Sequence, residues 1–200
     1  MDEMAIAEYG DWIDNIAMHY VSHFVMGKNY IFIQKIEIGK HVYELHKSKI
    51  NDYYILGCFV NKPERTKLGI IDEIKFACIA NIELSKKPDM LGLTNIYNVD
   101  GVKVATNQQG SGIGLALYKT LLKMNMVLLG DENQYLGARK LWAKLSRTSD
   151  IVVHIIDLNT KQIIENDAVI LQGIEDESFD DRVWAYTDEK KHIRLIAHIK

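Results

Sequence analysis

The residues of this chain with the clearest chemical potential are Gln109-Gly110-Ser111-Gly112-Ile113-Gly114, which run directly into Leu115-Ala116-Leu117-Tyr118-Lys119-Thr120-Leu121-Leu122. A polar, glycine-dense turn leads into a run where Ile113, Leu117 and Leu121 recur four apart, the spacing of one helical face. Such a helix aims its unpaired first N–H groups, and the positive end of its dipole, at whatever lies ahead of the turn. Glycines let the backbone approach a phosphate closely and take up conformations that other residues avoid. The segment reads as a pyrophosphate cradle, with a glycine-rich cap on an ordinary core helix as the plainer alternative.

Spacing excludes two common cradles. A dinucleotide fingerprint needs Gly-x-Gly-x-x-Gly, and Leu115 stands where its third glycine belongs. No Gly-Lys-Ser/Thr follows, so the segment is not a nucleoside triphosphate P-loop either. What it does match is Gln/Arg-x-x-Gly-x-Gly/Ala, carried by Gln109, Gly112 and Gly114. On these residues the chain resembles the GNAT superfamily of N-acyltransferases, whose acyl-CoA motif has this form.

The resemblance is specific over about residues 95–147. Upstream, Tyr97 to Thr106 has alternating apolar residues and looks like a strand delivering the chain to the turn. The resemblance implies that Val102 and Val104 offer main-chain groups to the pantetheine arm of CoA, with the Val104 N–H on the thioester oxygen. It further implies that Ser111, Gly112, Ile113 and Gly114 bind the pyrophosphate through N–H groups, that Gly110 shapes the loop, and that the Gln109 side chain contacts phosphate. Downstream, Asn125 to Gly130 suits a short buried strand, and Tyr135 to Leu145 a second amphipathic helix. That helix resembles the second half-motif, Asn-x-x-Ala-x-x-Leu-Tyr-x-Lys, with Ala138, Leu141 and Lys144 in register.

Two positions depart from the pattern. Tyr135 replaces the usual Asn, for which Asn133 or Gln134 could substitute if the helix starts earlier. Trp142 replaces the tyrosine that commonly protonates the leaving thiolate, and an indole N–H donates a hydrogen bond without titrating usefully. The Gly-Ala-Arg-x-Leu-Trp variant also resembles acetyltransferase-like proteins encoded by tailed bacteriophages. With the usual acid missing, Tyr118 is a candidate by proximity to the cradle, or a packing residue. Glu83 and Asp100, near the motif strand, are candidate bases, since a partly buried carboxylate can have its pKa raised; solvated turn residues are the alternative for both. Lys144, with Arg139, Lys140 and Arg147, either meets the 3′-phosphate of CoA or faces water.

These residues need elements to position them. Two hundred residues with 48% hydrophobic content suffice for one sizeable core, and a net charge of −3 gives no footprint for nucleic acid. Cys58 and Cys78 lie in apolar strand-like runs and are expected to be buried, reduced thiols. No apolar run approaches the length of a membrane span, and the N-terminus lacks a signal-like pattern, so a cytoplasmic protein is expected. A helix is predicted over Ala5–Val25. Strands are predicted at Tyr30–Ile38, Val42–Leu45, Tyr53–Val60 and Ile74–Leu84, with breaks at Asn61–Glu64 and Lys87–Asp89. After the motif region, strands are expected at Ile151–Leu158, Ala168–Leu171, Val183–Tyr186 and His192–Ile199. His19 and His23, four apart on the predicted helix, have metal-ligand spacing but no third ligand, so no metal is expected. The acidic run from Glu175 to Asp181 reads as a solvated loop, or as an attraction for a cationic amine.

The order matches an α/β (α+β) fold of GNAT type: one domain over 1–200, with a central twisted mixed sheet, splayed strands and flanking helices. The resemblance implies an N-acetyltransferase with acetyl-CoA as co-substrate. Its acceptor would be a primary amine on a small molecule or protein, and the exposed strand edges would allow a homodimer. The alternative is a non-catalytic acyl-CoA-binding or assembly protein on the same scaffold.

Overall fold

The computed structural model describes residues 19–66, 69–131, 136–166 and 191–200, and their fold is mixed α+β with a mostly antiparallel sheet arrangement. The chain divides into two compact units. One takes the described residues up to Glu83 together with Val102–Ala116; the other takes Leu84–Gly101 and the described residues from Leu117 onward.

The first unit is built on antiparallel strands β1 (His19–Ser22), β2 (Tyr30–Ile38), β3 (His41–Ser48), β4 (Tyr53–Thr66) and β5 (Gly69–Lys86), with helix α1 (His23–Asn29). Strands β2 to β5 follow one another in space, and β1 pairs with β5. Of the helix predicted over Ala5–Val25, residues 5–18 lie outside the described residues, and His19–Ser22 is a strand instead. Tyr20 and Val21 are residue types that suit a pleated ladder, and they pair with Ala77 and Phe76. His19 and His23 therefore do not share a helical face.

Met26 of α1 packs with Tyr30, Ile55, Phe76 and Cys78, and Val25 and Tyr53 close against them. Burying a side chain the size of Met or Ile contributes roughly 1.5–3 kcal/mol, so this cluster is enough to hold a helix of two turns. The predicted break at Asn61–Glu64 is absent, because β4 runs on to Thr66 opposite Gly69. Strand β3 reaches β4 only between Tyr54 and Gly57, so among the described residues Pro63 sits on an edge, where a strand tolerates proline. At Gly57 a side chain is excluded: a Cβ there would lie 2.1 Å from the Ala77 carbonyl oxygen, beside the irregularity at Leu56/Gly57.

The second unit contains the start of β6 (Ile96–Val104), then β7 (Val127–Leu129), β8 (Ile151–Asp157), β9 (Gln162–Asn166) and β10 (Ile193–Ile199). Strands β6 and β7 are parallel, pairing only from Ile96↔Val127 to Asn98↔Leu129. Beyond them β10 is antiparallel to both β7 and β8, and β9 pairs with β8. Ile96, Val127, Leu129, Ile156 and Ile196 form the core. Helix α2 (Ile113–Lys123) buries Ile113, Leu117 and Leu121 as their spacing predicted, and Tyr118 and Leu122 as well; helix α3 (Leu136–Ser146) packs on β8.

Strand β9 was not anticipated. The Asn159 and Thr160 N–H groups donate to Asp157 Oδ1 at 2.8 and 3.3 Å, closing a turn that returns a short, polar strand to β8. The strands expected at Ala168–Leu171 and Val183–Tyr186 lie outside the described residues. Both cysteines are free; Cys78 is buried as expected, whereas Cys58 is only half-buried, near the uncovered part of β4. No described helix is long and apolar enough to cross a membrane.

Candidate functional site

The cradle grows from the end of β6. The Ala105 N–H donates to the Ile79 carbonyl at 2.8 Å, fixing the strand's last turn of pleat against β5. In an antiparallel ladder alternate residues direct their N–H and C=O groups to opposite sides, so those of Val102 and Val104 point away from β5. No strand pairs with them there among the described residues. Half-buried main-chain groups without a ladder partner are what an extended amide-bearing ligand needs.

A single 3-10 turn, Thr106–Gln108, then redirects the chain. The Gln108 N–H donates to Ala105 O at 2.8 Å, and the Gln108 carbonyl accepts both from Ser111 Oγ at 2.5 Å and from the Ser111 N–H at 3.4 Å. These bonds lock the loop and direct the Ser111 N–H inward. Gly110 and Gly112 have φ of +81° and +88°, which L-residues with a side chain rarely adopt, and a Cβ on either would meet nothing within 4 Å. The glycines are thus required by backbone conformation, and the space before them is open. Gly112 O accepts the Ala116 N–H at 2.9 Å, the first bond of α2. The N–H groups of Ile113, Gly114 and Leu115 consequently have no carbonyl one turn back. No acidic residue lies in the first turn to oppose an anion.

Gln109 is exposed, and its Nε2 donates to Val104 O at 3.3 Å, so the side chain reaches back along the strand. The structure therefore gathers Val102, Val104 and Gln109 to Gly114 in the first unit. Glu83 belongs to that unit too, exposed on β5 directly opposite Tyr53.

Asp100, Tyr118 and Lys144 belong to the second unit. Asp100 is exposed, and its Oδ1 accepts from Ser85 Oγ at 2.9 Å and Asn98 Nδ2 at 2.6 Å. Sequence reading missed both partners. The Asn98/Asp100 alternation was the available signal, since it places the two on one strand face. Tyr118 is enclosed: its ring meets Trp142 edge to face, 5.9 Å between centroids, and burial, aided by the charge of Asp131, pushes its phenol above the usual range. These are the surroundings of a packing residue, the alternative already weighed for Tyr118. Lys144 is exposed in the last turn of α3, and Asn133 lies outside the described residues. No group of three or more His, Cys, Asp or Glu that could hold a metal occurs among the described residues.

No protein-family model and no curated protein matches the chain. Among solved structures it is similar to a crystal structure described as that of "a putative phosphinothricin N-acetyltransferase", 10% identical, with a TM-score of 0.34, covering 76% of this chain and 70% of that one.

Proposed function

We propose that the chain binds acetyl-CoA and transfers its acetyl group to a primary amine by direct attack on the thioester. The observation that carries this reading is the loop before α2: two glycines held at positive φ, open space ahead of them, and a helix start with unopposed N–H groups. The residues present fit CoA. Gly112, Ile113 and Gly114 would hold the pyrophosphate by N–H groups, and the outward main chain of Val102 and Val104 would hold the pantetheine amides. The Val104 N–H would polarise the thioester carbonyl, a contact that strengthens as charge develops on oxygen. Glu83, in the same unit as the cradle, is the carboxylate proposed to take the amine's proton. Bound acetyl-CoA supplies the activated acyl group; the chain supplies position, one hydrogen-bond donor and a proton acceptor.

A second reading is favoured by one feature. Trp142, 1% exposed, occupies the position where the GNAT motif carries its acid, and its neighbour Tyr118 is enclosed with it. An acyl-CoA binder without turnover would have that arrangement. Calorimetric titration with acetyl-CoA, followed by a pool of amines and a free-thiol assay, separates the readings. Binding with thiol release supports the transferase, binding without release supports the binder, and no binding rejects both.

A further inference from the structure

The Gln109 side chain stands on a group that an acyl donor needs. Its Nε2 donates to Val104 O at 3.3 Å. That carbonyl lies on the side of β6 turned away from β5, the side assigned above to the pantetheine amides. A ligand amide nitrogen bonding the same oxygen would come to about 2.7–3.2 Å of it, so the ligand and Nε2 compete for one acceptor. Val104 is half-buried with no strand pairing along that side among the described residues, and the Gln109 amide gives its carbonyl a donor.

The backbone beneath this contact is held, while the side chain above it is not. The Gln109 N–H donates to Thr106 O at 3.4 Å, and the Gln108 carbonyl accepts from Ser111. Rotation about the Gln109 side-chain bonds is therefore enough to break the contact to Val104, with no movement of the loop. Gln109 is exposed, and the space over its neighbour Gly110 is open, since a Cβ there would meet nothing within 4 Å. All of these residues lie in one unit of the chain.

We propose that Gln109 is a specificity-determining latch, whose amide passes from Val104 O to the pyrophosphate and so opens the strand to the pantetheine arm. Diphosphate and arm then bind cooperatively, and pantetheine thioesters that lack a diphosphate are selected against. Each part raises the affinity for the other by the same factor, because coupling between two binding events is reciprocal. The contact given up is an exposed bond between neutral groups, so that factor is about two- to tenfold. The assignment rests on the acetyl-CoA reading and adds to it how the site tells a whole CoA from its arm.

The test is calorimetry of S-acetylpantetheine and of acetyl-CoA on the parent and on Gln109→Ala, with S-acetylpantetheine repeated in saturating inorganic pyrophosphate. Gln109→Ala should bind S-acetylpantetheine about two- to tenfold more tightly than the parent, because the Val104 carbonyl is uncovered. It should bind acetyl-CoA no more tightly, because the contact to phosphate goes with the latch. Pyrophosphate should tighten S-acetylpantetheine binding to the parent by a similar factor and do nothing for the variant. Gln109→Glu, which keeps the length but cannot donate, should match Gln109→Ala toward S-acetylpantetheine. In ¹⁵N–¹H spectra the Gln109 side-chain NH2 signals, identified by their loss in Gln109→Ala, should move on adding pyrophosphate alone. Equal affinity of parent and Gln109→Ala for S-acetylpantetheine, undetectable binding to both, or no tightening by pyrophosphate overturns the latch. Those results with acetyl-CoA still bound sink the latch alone, whereas failure of acetyl-CoA to bind either protein removes the underlying reading.

Discussion

Tyr118 and Trp142 meet at an interplanar angle of 87°, each almost wholly shut off from solvent, so the α2 ring and the α3 indole act as a joined packing element. Edge-to-face pairs add about 0.5–1.5 kcal/mol beyond the area they bury. Tyr118→Phe keeps the ring and removes only the hydroxyl. It should change stability by about 1 kcal/mol or less and leave acetyl-CoA-dependent thiol release intact. Loss of thiol release in a variant that melts normally would restore Tyr118 as the acid. Trp142→Ala empties the pair's larger half and should cost about 3–5 kcal/mol by denaturant titration.

Gly112, at φ +88° with open space around a would-be Cβ, separates conformational from steric cost. Gly112→Ala should lose about 1–2 kcal/mol of stability, the penalty of left-handed backbone for an L-residue. Gly112→Asp adds a negative charge where a phosphate would lie and should abolish acetyl-CoA binding in calorimetry. Unchanged affinity in the aspartate variant would reject the cradle.

Gly57 presents the opposite case. Its φ is unremarkable, but a Cβ would meet the Ala77 carbonyl oxygen at 2.1 Å and the Phe76 ring at 2.8 Å. Backbone must move to admit one atom, so Gly57→Ala should destabilise by about 3 kcal/mol. A chemical denaturation midpoint unchanged from the parent would show that β4 and β5 approach less closely there.

Alkaline pH should weaken the fold. Burial pushes the Cys78 thiol up to about 12, with the backbone groups of Ala80 and Leu56 pulling slightly back. Below the ordinary thiol pKa both states keep the proton. From there to about pH 12 the unfolded chain releases a proton that the folded chain retains, so stability falls as pH rises. The slope is at most about 1.4 kcal/mol per pH unit for this group. The enclosed phenols of Tyr53 and Tyr118 act in the same direction at higher pH. Denaturant titrations of the parent and Cys78→Ala from pH 8 to 11 should give a flatter decline in the variant. In the native state a thiol reagent should modify the half-buried Cys58 well before Cys78.

Where one physical rule dominated, the sequence was a good guide. A strand-like run marked β2 at Tyr30–Ile38, and the spacing of Ile113, Leu117 and Leu121 marked the buried face of α2. Gly110 and Gly112 declared themselves because their conformations exclude most other residues. Local rules failed where pairing decided the outcome. Pro63 reads as a break until the edge position of its strand is known, and His19–Ser22 reads as helix until β5 offers it a ladder. Of the site, the main-chain cradle was legible. The bond from Ser85 to Asp100 was not, since it joins residues 15 apart that only strand pairing brings together.

The uncovered length of β4 has one more consequence. From Cys58 to Thr66 it pairs with β5 alone among the described residues, presenting a row of backbone donors and acceptors that another chain could adopt as a template. Lys62, Pro63, Glu64 and Arg65 fall within that row, a proline and three charges of mixed sign. Prolines and charges on an edge strand disfavour its pairing with another chain, so the residues that disguise this strand in the sequence are of the types that discourage runaway self-association.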